Sequence, residues 1–351
     1  MGSDSLAKSG RGKLAWGILG TGGIARTFAR DLSQSKTGQL LAVGSRTAEA
    51  AARFADEFAI PRRYDSYEAM LRDPEVEAVY ISLPNHLHAQ WVVKCAQAGK
   101  QILCEKPLAT NVGEAMVAIE AARAHNVFLM EAFMYRCHPQ TAKLVELIRE
   151  KAIGEVRVIQ AHFSYNLGGL HLENIRQQNQ SAGGSIMDVG CYCASMARLI
   201  AGAATGQDFA EPLEIKAVAH IGEKSRVDEW STAASRFPGG IVANLTCGTQ
   251  VNVDNTLRIW GSEGHILVPQ PWKPQREGNR ILVYREAKQQ TEEIVVGADV
   301  PLYAVEADTV AAQIANRQAL PPAMTWADSL GNMRMLDYWR KEIGLVFDNE
   351  R

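Results

Sequence analysis

The chain has 351 residues, of which 46% are hydrophobic and 22% charged, a balance that is ordinary for a soluble globular protein and excludes wholesale disorder. Its 37 Lys and Arg residues against 39 Asp and Glu residues give a net charge of −2, so no basic excess indicates a nucleic acid or an anionic membrane as partner. Because a domain usually has about 100–200 residues, this length predicts two domains.

The start of the chain, residues 1–13, is small, polar and basic and is predicted to be a flexible tail. It has neither the apolar stretch of a secretory signal nor a paired-arginine export signal. The sequence contains no run of 18 or more apolar residues, so no transmembrane helix is predicted. The six cysteines form no C-x-x-C pair and no zinc-like spacing with histidines, which favours reduced thiols, no bound metal and a cytoplasmic protein.

The first 135 or so residues alternate between strand-like and helix-like runs. The predicted strands are Leu14–Leu19, Leu40–Val43, Ala78–Leu83, Gln101–Cys104 and Val127–Met130, and the helices between them are Ile24–Leu32, Ala48–Phe58, His88–Ala98 and Glu114–His125. Continuous apolar strands in a β-α-β-α rhythm are typical of a parallel sheet covered on both faces. The sequence therefore predicts a doubly wound α/β domain over residues 14–136.

The rhythm changes near residues 135–140, where we expect the second domain, 137–351, to begin. The predicted helices are Thr141–Glu150, Val305–Asn316 and Trp326–Ile343, and the strands are Val156–Tyr165, Ile215–Ile221, Ser231–Phe237, Ile241–Cys247, Leu257–Trp260 and Ile281–Tyr284. Alternating patterns of this kind favour a large, mainly antiparallel sheet with one open face, in an α+β domain.

A glycine-rich turn follows the first predicted strand and opens the first helix, with the sequence Gly20-Thr21-Gly22-Gly23-Ile24-Ala25. Gly20 allows a tight turn, Gly22 lets the backbone approach a pyrophosphate at the helix N-terminus, and Ala25 allows close packing of helix and strand. A glycine-rich turn without a ligand is the alternative. The strand before it and the helix after it favour a dinucleotide site.

The second predicted strand leads into Ser45 and Arg46. A site that prefers NAD usually has an Asp or Glu near this position, bonded to the ribose 2′-hydroxyl. Here Arg46 can pair with a 2′-phosphate and Ser45 can donate to it, although a surface arginine at a strand end is also common. The missing acid favours NADP over NAD.

Polar residues also follow the third predicted strand, in the run Leu83-Pro84-Asn85-His86-Leu87-His88. The carboxyl ends of parallel strands face the ligand crevice, so Leu83, Pro84, Asn85 and His88 are candidate cofactor contacts. The alternative, in which Pro84 and Asn85 form a turn and Asn85 caps the helix, is equally compatible with the sequence.

The next strand leads into Glu105-Lys106-Pro107. A lysine at this edge, beside a cationic nicotinamide, would give up its proton more readily than a lysine in water, which suits a proton relay or the orientation of a hydroxyl. Taken alone, a lysine before a proline is more often a surface residue.

In the second domain, the run Gly183-Gly184-Ser185-Ile186-Met187-Asp188-Val189-Gly190-Cys191-Tyr192 would place Asp188 and Tyr192 at i and i+4, on one face of a helix. A carboxylate among apolar neighbours needs a partner, which a substrate hydroxyl, Tyr192 or Lys106 could supply. The structural alternative is that Asp188 caps the helix and Tyr192 belongs to the core.

Together, Gly20-x-Gly22-x-x-Ala25, Glu105-Lys106-Pro107 and Gly-Gly-x-x-x-Asp188-x-Gly-x-Tyr192 resemble the glucose-fructose oxidoreductase/inositol dehydrogenase (Gfo/Idh/MocA) family. The resemblance implies a Rossmann domain followed by a domain whose open sheet often forms an oligomer interface. Tyrosine at position 192, where many members have histidine, resembles the subgroup with NADP-dependent D-xylose dehydrogenase and dimeric dihydrodiol dehydrogenase. An amide-rich stretch over residues 171–181 departs from the family and is predicted to lie on the substrate side.

What the resemblance implies is an NADP-dependent dehydrogenase acting on a sugar, such as the aldoses D-xylose and D-glucose, or on a related polyol. The nicotinamide would lie between the domains, Tyr192 would take the proton of the substrate hydroxyl, and Lys106 would assist it. Asp188 would orient the substrate or Lys106. Further candidates for the substrate pocket are Arg136, Tyr165 and Trp272, with Arg136 also near the cofactor, and packing is the alternative role for Trp272.

Two other functions remain open from the sequence. One is a sugar–sugar oxidoreductase, or a glycoside-processing enzyme that works by transient oxidation, with tightly bound cofactor. The other is a non-catalytic NADP-binding sensor, against which the intact set of Lys106, Asp188 and Tyr192 argues. The resemblance further predicts a homodimer or homotetramer through the open sheet.

Overall fold

The structure is a computed structural model that describes residues 12–350, which form two compact units. Unit 1 comprises residues 12–109, Gly113–Cys137 and Ala298–Trp326, and unit 2 comprises Thr110–Val112, His138–Gly297 and residues 327–350. The predicted tail lies outside the described residues except for its last two. Of these, Lys13 is anchored, since its Nζ donates to the Ser35 carbonyl over 2.7 Å.

The elements are as follows, in chain order. The strands are β1 Leu14–Leu19, β2 Gly38–Gly44, β3 Arg62–Tyr64, β4 Ala78–Ile81, β5 Gln101–Glu105, β6 Leu129–Ala132, β7 Val156–Ser164, β8 Glu214–Ile221, β9 Asp228–Arg236, β10 Val242–Gly248, β11 Leu257–Gly261, β12 Gly264–Val268, β13 Asn279–Arg285 and β14 Gln290–Val296. The α-helices are α1 Gly23–Leu32, α2 Ala48–Glu57, α3 Tyr67–Leu71, α4 His88–Gln97, α5 Val112–Ala124, α6 Met134–Cys137, α7 Pro139–Arg149, α8 Cys191–Ala204, α9 Leu302–Gln313 and α10 Trp326–Glu342.

Unit 1 is built on a six-stranded sheet with the order β3-β2-β1-β4-β5-β6, in which every pair of neighbours is parallel. This order reverses at β1 and β4, which is the topological switch point where ligands of such sheets bind. In the core, Phe28 of α1 stacks on Tyr80 of β4 at 3.9 Å and meets Trp16 of β1 edge-on at 5.4 Å. Packing of this kind fixes the helix that follows the glycine-rich turn.

The strand β3 and the helix α3 were not predicted from the sequence. Three residues make up β3, none of them fully buried, so no apolar run indicates it. Its position comes from tertiary contacts, because Arg62 Nη1 and the Tyr64 hydroxyl both donate to the carboxylate of Asp73.

Unit 1 also contains Ala298–Trp326, a segment that the sequence analysis placed in the second domain. Asp308 of α9 accepts from Ser35 Oγ at 2.5 Å and from Thr37 Oγ1 at 2.6 Å, and the Tyr303 amide donates to Asp31 of α1 at 3.3 Å. These partners lie some 270 residues apart, with Asp308 273 residues beyond Ser35, so no local pattern in the sequence could indicate them.

Unit 2 is built on an eight-stranded sheet with the order β14-β13-β12-β11-β7-β10-β9-β8, in which only the β7–β10 pair is parallel. The fold class, a parallel doubly wound sheet followed by a mainly antiparallel one, is therefore confirmed. One face is buried, with Ile159, Leu245 and Ile281 among its residues. The other face exposes Val218, which pairs with Thr232 across β8 and β9.

The stretch Asn179–Ala204, which ends in α8, is long and apolar enough to cross a membrane by length and composition alone. Its apolar window is 94% buried inside the protein, which is the environment of a core helix. Arg198 of α8 is also buried, and its charge is compensated by an ion pair with Asp328 of α10.

Candidate active site

The glycine-rich turn of unit 1 has the geometry of a phosphate cradle. Gly20 has φ +101°, and a Cβ there would come within 3.0–3.3 Å of Ser82 and Leu83 at the end of β4. A Cβ at Gly22 or Gly23 would meet nothing within 4 Å. Gly22 is the residue directly before α1, and it provides no side-chain cap. The first amides of α1 are thus approachable by an anion, which fits the pyrophosphate of a dinucleotide.

A basic residue that the sequence analysis did not single out also supports this turn. Arg26, in the first turn of α1, donates from Nη1 to the carbonyl of Thr21 at 2.6 Å and pairs with Glu57 of α2. The side chain of Arg26 therefore fixes the loop from behind. Its position four residues after Gly22 is the only local signal that could have indicated it.

At the end of β2, Ser45 is buried and its amide donates to the carbonyl of Tyr64 at 3.1 Å, whereas Arg46 is exposed. Tyr67 of α3 lies close enough to Arg46 that the guanidinium partly offsets the increase in the pKa of Tyr67 that burial causes. Thr47 caps α2 through the Ala50 amide. Since no carboxylate follows β2 directly, this edge fits a 2′-phosphate better than a free 2′-hydroxyl.

The segment after β4 is held by His88, which is completely buried. Its Nε2 lies 2.8 Å from the Leu83 carbonyl and its Nδ1 lies 2.7 Å from the Pro107 carbonyl. Burial lowers the pKa of His88, although both carbonyls favour a protonated ring. Both ring nitrogens thus face the protein backbone, and His88 ties the Leu83–Pro84 turn to the Lys106–Pro107 turn.

Asn85 begins a short 3-10 turn, Asn85–Leu87, before α4. The residue directly before α4 is Leu87, and its side chain does not cap the helix. Asn85 stays at the carboxyl edge of the parallel sheet, where its cofactor role is a prediction.

Behind Lys106 lies a buried acidic cluster on β4, β5 and α9. The Tyr80 hydroxyl donates to Glu105, and Glu306 of α9 is completely buried. Burial raises the pKa of Glu306, and the nearby Glu105 raises it further. Lys106 itself is only partly buried, with Glu105 fixed directly before it.

In unit 2, Asp188 and Tyr192 lie on a helix that begins unusually. Residues Ile186–Gly190 form a π turn, and α8 continues from Cys191. Asp188 does not cap this helix, because its carboxylate accepts from the Tyr165 hydroxyl and lies 3.2 Å from Nε of Arg176. The π turn, a feature common at functional sites, therefore turns Asp188 towards the end of β7.

Tyr192 has an aromatic surrounding. Its ring meets Phe163 of β7 edge-on at 5.1 Å and Trp272 at 6.2 Å, and Phe163 stacks on Trp272 at 5.5 Å. Trp272 is buried and its Nε1 donates to the His162 carbonyl at 2.6 Å, so it packs as the alternative expected and also forms one wall beside Tyr192.

The surroundings of Tyr165 hold this residue in its protonated form. Burial raises the pKa of Tyr165, Asp188 raises it further, and Arg176 only partly opposes them. Tyr165 is therefore held as a phenol that donates to Asp188. The role of Tyr192 in proton transfer stays a prediction.

Arg176 was missed by the sequence analysis. Its backbone is anchored, because the Gly184 amide donates to its carbonyl at 2.8 Å and the Asn174 side chain accepts from its amide at 3.1 Å. The only sequence signal was a single cation in the amide-rich stretch before Gly183. The amides of this stretch brace its own loop, with Gln178 Nε2 donating to the Leu172 carbonyl at 2.7 Å.

The structure also places Arg136 and the cysteines beside Tyr192. Arg136 is buried in unit 1, where its Nε donates to the carbonyl of Pro322 at 2.5 Å. The cysteines that flank Tyr192 are buried, and Cys191 donates to the Met187 carbonyl. Among residues 12–350, no group of three or more histidine, cysteine or acidic side chains could hold a metal ion.

Comparisons with known proteins agree with this arrangement. Residues 14–133 match the model of the oxidoreductase family with an NAD-binding Rossmann fold, GFO_IDH_MocA, and residues 141–267 match the C-terminal domain of the same family. Mouse trans-1,2-dihydrobenzene-1,2-diol dehydrogenase is 33% identical over 346 residues, covering 96% of this chain and 99% of its own. D-xylose 1-dehydrogenase (NADP⁺) 2 of Haloferax volcanii is 43% identical over 189 residues, 54% of this chain and 58% of its own.

Among solved structures, a 3-ketoreductase from Actinomadura kijaniata in complex with NADP and TDP-benzene is 26% identical. The match has a TM-score of 0.82 and covers 94% of this chain and 98% of that one. The predicted family resemblance is confirmed: the chain belongs to the GFO/IDH/MocA family of oxidoreductases.

Proposed function

We propose that this protein is an NADP-dependent dehydrogenase that oxidises a hydroxyl group of a sugar or related polyol, or reduces the matching carbonyl. The observation that carries the proposal is the pairing on one helix of Tyr192, walled by Phe163 and Trp272, with Asp188, held by Tyr165 and Arg176. Carboxylate, guanidinium and phenol groups suit the hydroxyls of a polyol, and an aromatic ring suits the apolar face of its carbons.

The preference for NADP is supported by the residues after β2. Ser45 and Arg46 stand where an NAD site usually has an acid, and Arg46 can pair with a 2′-phosphate. The xylose dehydrogenase of Haloferax volcanii is named for NADP⁺, and the Actinomadura ketoreductase was crystallised with NADP.

In unit 1, Gly20, Thr21, Gly22, Gly23 and Ile24 would hold the pyrophosphate, and Ser45 and Arg46 the 2′-phosphate. When bound, NADP⁺ would supply the hydride acceptor for oxidation of the carbon that carries the substrate hydroxyl. Leu83, Pro84, Asn85 and Glu105 lie at the same edge of the sheet and are the further candidates for contact with it.

The chain's own residues handle the proton. Tyr192 accepts the proton of the substrate hydroxyl, and the positive charge of Lys106 favours the phenolate that this step needs. Asp188 accepts hydrogen bonds from neighbouring substrate hydroxyls and fixes which carbon faces the hydride acceptor. Tyr165 and Arg176 hold the carboxylate of Asp188 in place.

The test is nicotinamide reduction by the purified protein, with NADP⁺ and NAD⁺ in parallel, across aldoses, inositols and dihydrodiols. We expect NADP⁺-dependent turnover on at least one class. No turnover on any of them, with nucleotide that copurifies and does not exchange, would favour the sugar–sugar oxidoreductase. No turnover with exchangeable, tightly binding NADP would favour a sensor.

We also propose that the protein forms a homodimer or homotetramer through the open face of the unit 2 sheet. Val218, Trp230 and Val242 are all exposed there, with Trp230 stacked on His220 at 4.1 Å. The pairings Val218–Thr232 and Thr232–Thr246 show that these strands present one continuous face. Exposed apolar side chains on a flat sheet of this kind are typical of an interface between subunits.

A further inference from the structure

Asp228, the first residue of β9, carries a carboxylate that is completely buried in unit 2. Its Oδ2 accepts from Ser185 Oγ at 2.6 Å and from the Ile186 amide at 2.7 Å. Its Oδ1 has no hydrogen-bond partner among the described residues. Burying a carboxylate is costly, so these two bonds must matter to the structure they hold.

What they hold is the start of the helix that carries Asp188 and Tyr192. The amides at the first turn of a helix have no partner within the helix. Here the carboxylate, 42 residues along the chain, supplies the acceptor for Ile186, the first residue of the π turn. A negative charge at this end also interacts favourably with the helix dipole. A π turn is a less regular element than an α-helix, so the direction in which its side chains point depends on such hydrogen bonds.

The two glycines before this turn fit the same interpretation. Gly184 has φ +102°, and a Cβ there would lie 2.1 Å from Oδ1 of Asp228. A Cβ at Gly183 would lie 2.6 Å from the carbonyl oxygen of Arg176. The glycine pair thus lets Asp228 approach the turn from one side and lets the Arg176 backbone approach from the other.

The groups that face Asp228 come from three elements besides its own. They are Ser185 and the Ile186 amide on the turn, Cys247 on β10 and Arg340 on α10. Burial raises the pKa of Asp228 to about 7, against the opposing effects of Ser185, Ile186 and Arg340. Burial also raises the pKa of the Cys247 thiol, so Cys247 stays neutral. Asp228 is therefore the group here that titrates near neutral pH.

We propose that Asp228 is a positioning residue that fixes the π turn, and so sets the orientation of Asp188 and Tyr192, without touching the substrate. Its ionised form makes the stronger, charge-assisted bonds to Ser185 and Ile186. The expected effect of Asp228 on catalysis rests on the proposed function. Its effect on the π turn can be measured without turnover.

The test uses the full chain with Asp228→Asn, which keeps one acceptor oxygen and removes the charge. Asp308→Asn is the matched control, because Asp308 also braces a loop through its carboxylate but contacts no proposed site residue. The first measurement is hydrogen–deuterium exchange of the peptide over residues 185–192. The second is kcat, KM and the pH profile of kcat with the substrate identified in the panel.

In Asp228→Asn we expect faster exchange over 185–192, a kcat reduced roughly tenfold or more, and an unchanged KM for NADP⁺. We expect the wild-type kcat to rise through about pH 7 and this rise to be weaker in Asp228→Asn, whereas Asp308→Asn should match the wild type in every one of these measurements. Unchanged exchange in Asp228→Asn overturns the proposal whatever the turnover. Faster exchange with wild-type kcat and pH profile also overturns it.

A second variant covers the case in which Asp228→Asn does not fold. Ser185→Ala removes one of the two donors and leaves the Ile186 bond in place, and we expect the same changes with smaller size. If the wild type turns over no substrate in the panel, the proposed function fails, but the exchange experiment still decides whether Asp228 fixes the turn.

Discussion

Tyr192 and Lys106 carry the proposed proton transfer, and each can be tested by removing one functional group. We expect Tyr192→Phe and Lys106→Met each to lower kcat by roughly 10²-fold or more, because the substrate hydroxyl then lacks its acceptor or the acceptor lacks its stabilising charge. NADP binding, measured by fluorescence titration, should persist. Tyr284→Phe is the matched control, since this hydroxyl donates to Gln289 in the turn between β13 and β14, which is no proposed site residue. Near-normal turnover in both site variants would contradict the assignment.

Arg46 decides the cofactor preference in our proposal. Charge-assisted hydrogen bonds contribute about 1.5–3 kcal/mol, so Arg46→Ala should raise the KM for NADP⁺ roughly 10- to 100-fold. The KM for NAD⁺ should change little, because NAD⁺ has no 2′-phosphate. Arg30→Ala, which removes an exposed arginine of α1, serves as the control. Equal losses with both cofactors would show that Arg46 does not read the 2′-phosphate.

Asp228 also predicts a pH dependence of stability. Its folded-state pKa of about 7 is raised from 3.8, so the folded protein binds a proton that the unfolded chain releases between these values. The resulting stabilisation is present below about pH 4 and is lost as the pH rises through about 7, by at most about 4 kcal/mol. Urea unfolding at about pH 5 and about pH 8 should therefore show a larger loss in the wild type than in Asp228→Asn. Identical losses in the two proteins would refute this.

The loss of stability caused by the buried Asp228 carboxylate accompanies its role in positioning the π turn. The ionised carboxylate lowers the free energy of unfolding at neutral pH, yet it makes the stronger bonds to the π turn. Active sites commonly accept such a loss of stability for the sake of orientation.

Among the secondary-structure elements, the turn between β1 and α1 contains one glycine that leaves room for a ligand and another that the backbone conformation requires. Gly22→Ala adds a methyl group that meets no protein atom within 4 Å, so thermal stability should be nearly unchanged. The same methyl lies where a pyrophosphate must approach, and we expect the Kd for NADP to rise roughly tenfold or more. Gly20→Ala is the contrast, since φ +101° and contacts near 3.0 Å should lower the melting temperature. NADP affinity equal to wild type in Gly22→Ala would exclude the cradle.

The helix that carries Asp188 and Tyr192 illustrates the limit of periodicity. The i, i+4 spacing predicted that both residues share one face, and in the structure they meet neighbouring residues of one strand end, Tyr165 and Phe163. The spacing could not indicate the π turn, because the extra residue in its first turn depends on anchors from β9.

At the scale of the whole molecule, the open sheet predicts self-association. Trp230→Asp, at an exposed position beside Val218, should shift the protein towards monomers in analytical ultracentrifugation, because a charge in an apolar subunit contact is strongly unfavourable. Val117→Asp, at an exposed position on α5, is the control and should leave the mass unchanged. A wild-type protein that is already monomeric at high concentration would contradict the oligomer proposal.

The features of this protein that depend on neighbouring residues could be predicted from the amino-acid sequence. These are the glycine turn at Gly20–Gly23, the missing acid at Ser45 and Arg46, the alternation of strands and helices, and the family-specific runs around Lys106 and Asp188. Local backbone demands and amphipathic periods are written in short windows, so a single sequence reveals them.

The folded structure was needed to show which distant residues complete these features. It placed Ala298–Trp326 in unit 1, Arg176 on Asp188, Phe163 and Trp272 around Tyr192, and the Asp228 carboxylate under the π turn. Each of these contacts joins residues far apart in the chain or turns on one side-chain rotamer. Such contacts are fixed by packing and by the need to satisfy buried polar groups, and neither leaves a periodic trace in the sequence.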